Sequence, residues 1–188
     1  STRKESSAAS DVYKRQTTST AIATGILAAG FLATGPAMAT EGTKPAFPDA
    51  EAVAAADLSP EQVENAKTII QVGKENGISR QGIKIALMTA SQESNLINVD
   101  YGDRDSLGLF QQRPSAGWGT PEQVQDPVFA AKSFYGVNPE VSPNGLLQIQ
   151  GWEQMAPGDA AQAVQVSAFP DAYAKWEGQA EELLNQHF

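Results

Sequence analysis

The chain has 188 residues, no Cys, one His, and 13 Lys+Arg against 22 Asp+Glu, for a formal net charge of −9. Without Cys there is no disulfide framework, zinc ribbon, iron–sulfur cluster or thiol nucleophile, and a single His does not supply the usual catalytic zinc ligands. An acidic chain with no basic block also lacks the phosphate-neutralising footprint of a nucleic-acid binder, so neither nucleic acid, a metal nor another cofactor is expected.

Residues 1–39 read as leader rather than as structure. Asp11-Val12-Tyr13-Lys14-Arg15-Gln16 resembles translated adapter read-through, which makes residues 1 to about 16 foreign to the natural chain. Ala21 to Gly35 is an apolar stretch followed by Pro36 and the small-residue site Ala37-Met38-Ala39, the pattern of a secretory signal peptide cut after Ala39. A membrane anchor is the rival reading, but a span needs about 20 predominantly apolar residues, and this stretch is shorter and broken by Gly and Thr. What remains has the length of one domain able to bury a single core. Residues 40–57 mix Pro, Ala and acidic residues and are expected to be a linker with a short helix near its end; residues 58–188 form the domain.

Ser59-Pro60-Glu61-Gln62 has the form of a capping box, so a helix should start there, with Val63, Ala66, Ile69, Ile70 and Val72 on one face and Asn76-Gly77 as its stop. A second helix should open at Ser79 and carry Ile83, Ala86, Leu87 and Ala90 inward. The same face continues to Glu93, three residues after Ala90. A carboxyl group held there against apolar side chains would keep its proton near neutral pH, as a general acid must; a frayed helix end would leave it in water.

Leu87-Met88-Thr89-Ala90-Ser91-Gln92-Glu93-Ser94-Asn95-Leu96, followed by Ser106-Leu107-Gly108-Leu109-Phe110-Gln111, resembles the Glu-Ser and Gly-Leu-Met-Gln pattern of lytic transglycosylases in the lysozyme-like superfamily. Asp126-Pro127 resembles the start of the family's next helix, and Ala172-Tyr173 its late Ala-Tyr-Asn segment, although Ala174 replaces the Asn. The resemblance implies a secreted or wall-associated bacterial enzyme of α+β, mainly α, lysozyme-like fold. Its substrate would be the peptidoglycan glycan strand, cleaved at the β-1,4 bond between N-acetylmuramic acid and N-acetylglucosamine. Glu93 matches the catalytic acid, Ser94 the hydroxyl that orients it, Gln111 the residue that binds the sugar N-acetyl group, and Tyr173, loosely, the late cleft residue.

Asp100, Asp103 and Asp105 lie between the two motifs, and each is either a second carboxylate facing the cleft or part of a surface loop paired through Arg104. The bidentate Glu that would close a calcium loop is missing in both registers. Tyr101, Trp118 and Trp152 stand in loop-like sequence, where flat apolar faces could meet a sugar. Trp176 reads as core, on a stripe with Tyr173, Ala180, Leu183 and Leu184 in a helix starting from Asp171. Residues 136–151 should be a loop beside the cleft, helix should resume over 157–167, and 106–112 should be a short irregular or β segment. The alternative to an enzyme is a non-catalytic peptidoglycan-binding or scaffolding module of the same fold.

Overall fold

A computed structural model describes residues 42–188; the segments read as leader, signal peptide and cleavage site lie outside the described residues. The first helix, α1 (Pro60–Glu75), starts where the capping box places it: the Ser59 N–H donates to Gln62 Oε1 at 2.8 Å and the Gln62 N–H to Ser59 Oγ at 3.3 Å. Gly77, at φ +69°, turns the chain out of it. Helix α2 (Arg80–Ser94) is capped by Ser79 and ends on Asn95 in the left-handed conformation.

One buried face was the expectation for α2, but it is enclosed on nearly every side, from Gly82 to Ser94 with Lys84 as the exception. It is the central rod of the domain, packed against α1, α4 (Pro127–Tyr135), α5 (Pro157–Gln165) and α6 (Glu177–His187), with the short α3 (Pro121–Val124) leading into α4. Several of its polar side chains find partners there: Thr89 Oγ1 donates to the Ile85 carbonyl, Ser91 Oγ to Gln179 Oε1, and Gln92 Oε1 accepts from Trp176 Nε1. The core continues through the stacked rings of Phe110 and Phe134, 4.8 Å between centroids. Tyr135, wholly buried, donates its hydroxyl to the Ile69 carbonyl.

The domain is mainly helical. Of the expected β component, the described residues show isolated bridges only, an antiparallel one joining Leu107 to Gln112 and a parallel one joining Thr43 to Ser167. Two further expectations need correction. The stripe from Tyr173 to Leu184 is not one helix: two 3-10 turns, Pro170–Ala172 and Ala174–Trp176, precede α6. Tyr173 and Trp176 are each tied to α2 by a side-chain hydrogen bond, and those tertiary contacts override the local helical pattern. The segment read as a linker is laid against the body. Ala46 N–H donates to the Glu93 carbonyl at 2.8 Å, Gln179 Nε2 to the Val53 carbonyl, and Ala55, in a 3-10 turn, is buried with its N–H on Glu182. No helix among the described residues is long and apolar enough to cross a membrane.

Candidate active site

Glu93 sits on the last turn of α2 and is 1% exposed, so the frayed alternative does not hold. Tyr173 donates its hydroxyl to Oε1 at 2.6 Å, while Oε2 is buried with no hydrogen-bond partner. Burial away from water pushes the carboxyl pKa from 4.5 up to about 7, opposed by the Tyr173 hydroxyl and the Gln165 amide, which favour the charged form. Tyr173 is itself held far above its usual range, by burial first and by the neighbouring Glu93 charge second, so it remains a hydroxyl donor at any working pH.

The chain leaves α2 through two successive left-handed residues, Asn95 and Leu96, and loops back so that residues 106–112 close beside the helix end. Ser94 does not orient the carboxylate as the resemblance implies. Its hydroxyl donates to the Leu109 carbonyl at 2.8 Å and fastens the returning loop to α2. Gln111, at φ +48°, is buried; its Nε2 donates to the Tyr101 and Gly108 carbonyls, and its Oε1 has no partner. A non-glycine residue held in that conformation is strained and persists only where its surroundings fix it.

None of the three aspartates is brought to Glu93 by a hydrogen bond. Asp100 is exposed, and Asp103 lies beside the Lys44 N–H and Arg104. Asp105 accepts from Arg113 Nε at 2.7 Å and from the N–H and hydroxyl of Ser115. Desolvation would raise its pKa, but the Ser115 N–H and hydroxyl and the Arg113 guanidinium outweigh it and hold the group at about 2.

A cleft of about 390 Å³ opens against this loop, lined among others by Gln111, Gln112, Arg113, Trp118 and Gln165. Gln165 lines the cleft and donates its Nε2 to the Phe110 carbonyl at 2.7 Å, and its amide favours the ionised form of the Glu93 carboxyl. Trp118 faces the cleft but is only 8% exposed, and Trp152, at 7%, is packed into the core near Gly82, so neither is the open platform expected of it. Tyr101 alone is open, 53% exposed and edge-on to Phe47.

Gln165, Arg113 and Thr43 line the cleft without having been singled out in the sequence. Gln165 and Thr43 carry no motif, whereas Arg113 directly follows the Gly-Leu-Phe-Gln-Gln run and could have been weighed there. Among the described residues no cluster of His, Asp and Glu could hold a metal ion. No protein-family model matches this chain, and no curated protein sequence matches it significantly.

Proposed function

We propose that the chain is a secreted or wall-associated bacterial enzyme of lysozyme-like fold that cleaves peptidoglycan glycan strands between N-acetylmuramic acid and N-acetylglucosamine, by the lytic transglycosylase route. The observation that carries this reading is Glu93, a buried carboxyl with an unpartnered oxygen and a pKa of about 7. Near neutral pH a large share of the group holds its proton, which a general acid requires.

In the reaction, Glu93 gives that proton to the glycosidic oxygen as the bond to the muramyl C1 breaks. The sugar's own 6-hydroxyl oxygen bonds to C1, and its proton returns to Glu93, so no water is consumed. A hydrolase would need a second carboxylate to activate water or to act as nucleophile. Asp105 fits neither role, because both its oxygens accept hydrogen bonds and its pKa of about 2 makes it a poor base. Gln111 lines the cleft, and its buried Oε1 has no partner within the protein.

One observation favours the second reading, a binding module that does not cut: Glu93 is closed off from solvent in the free protein. Replacement of Glu93 by Gln separates the two. Clearing of purified peptidoglycan should fall by orders of magnitude, the parent's activity should decline as pH rises through about 7, and its products should end in 1,6-anhydromuramic acid. Retained binding with no clearing by either form would establish the binding module. Reducing-end products alone would establish hydrolysis.

A further inference from the structure

Among the described residues that line the cleft, Arg113 is the one that carries a charge; its neighbours there include Gln111, Gln112, Trp118 and Gln165. Its guanidinium is fixed in place. Nε donates to Asp105 Oδ1 at 2.7 Å and Nη2 to Ser115 Oγ at 3.0 Å. Asp105 is held in turn by the Ser115 N–H at 2.7 Å and the Ser115 hydroxyl at 2.9 Å. The triangle occupies one side of the arginine fork, and no described residue accepts from Nη1 or from the second Nη2 hydrogen. An end-on pair of N–H groups on a cleft wall, already immobilised, is the geometry that takes both oxygens of a carboxylate, and little side-chain freedom remains to be lost on binding.

We propose that Arg113 is the specificity-determining residue of the cleft, binding a carboxylate on the occupying glycan. The inference rests on the peptidoglycan reading above, in which the muramyl sugar bears a lactyl ether ending in a carboxyl group and, when substituted, a stem peptide with carboxylates of its own. The alternate sugar has no acid. Arg113 therefore sets which sugar occupies its part of the cleft and disfavours neutral β-1,4-linked N-acetylglucosamine chains. Because Asp105 balances the arginine's charge, the discrimination comes from short-range hydrogen bonds rather than from long-range attraction, and it should vary little with salt.

Calorimetric titration of the Glu93→Gln chain, which prevents turnover, tests this with four ligands: an N-acetylglucosamine tetrasaccharide, the alternating muramyl tetrasaccharide with free lactyl carboxylates, the same with those groups amidated, and the peptide-substituted form. A charge-assisted pair predicts that carboxylated ligands bind about 10- to 100-fold tighter than the neutral chain. Arg113→Gln should remove that margin, and Arg113→Lys should restore part of it. Loss on amidation identifies the lactyl group; a margin present only in the peptide-substituted ligand identifies the stem. Equal affinities for neutral and acidic glycans overturn the role of Arg113 while leaving the glycan reading standing. If no saccharide binds, the glycan reading fails and the inference with it. The amidated ligand tests the same contact without altering the protein, so misfolding of an Arg113 variant does not remove the test.

Discussion

At Glu93, burial that moves a carboxyl pKa from 4.5 to about 7 makes folding stability depend on pH, because the folded chain keeps a proton that the unfolded chain has released. Stability from this group is fully present below 4.5, declines as pH rises towards about 7, and is level above. The loss corresponds to roughly 3 kcal/mol. Glu93→Gln cannot ionise, so it should resist urea better than the parent at pH 8 and nearly equally at pH 4; an unchanged gap between the two pH values would show that the parent does not bury this charge. Glu93 was legible in the sequence because it continues an apolar helical face. Gln165 was not, since a lone Gln at a helix end has no periodicity to mark it. Ser94 shows the limit of a motif match: the residue type agrees, but its hydroxyl holds the Leu109 carbonyl.

Between elements, the closest approach of α1 to α2 depends on Gly73. A Cβ there would lie 2.5 Å from Ile83 Cγ1 and 2.9 Å from the Tyr135 hydroxyl. Gly to Ala inside a helix ordinarily gains about 0.5–1 kcal/mol, but overpacking a full core costs about 1–3 kcal/mol, so Gly73→Ala should lower stability by roughly 1 kcal/mol, seen as an earlier urea midpoint. A later midpoint would mean that α1 can move away from α2 freely. Helix starts were readable because their causes are local: Ser59 with Gln62, Ser79 and Asp126 all cap as their side chains require. The break between Asp171 and Glu177 was not readable, because it is imposed by hydrogen bonds from Tyr173 and Trp176 to residues about 80 positions earlier.

For the molecule as a whole, residues 42–57 act as a strap rather than a tether. They contribute Thr43 to the cleft, an N–H to the Glu93 carbonyl and a buried Ala55 on α6. A chain trimmed to begin at Ser59 should melt several degrees below one beginning at Gly42; equal melting temperatures would return the segment to the status of linker. The mix of Pro, Ala and acidic residues that suggested a linker is what a strap without a continuous apolar stripe also looks like. Its docking depends largely on backbone groups, which composition does not reveal.

The chain has three tryptophans, and Trp118, Trp152 and Trp176 are 8%, 7% and 0% exposed. Indole emission shifts with the polarity around the ring, so the folded protein fluoresces at the short-wavelength end and unfolding moves all three together. Trp118 is the one that lines the cleft. An occupant of the cleft alters that ring's surroundings and leaves the other two as a constant background, so the light the protein emits distinguishes a filled cleft from a lost fold without any added label.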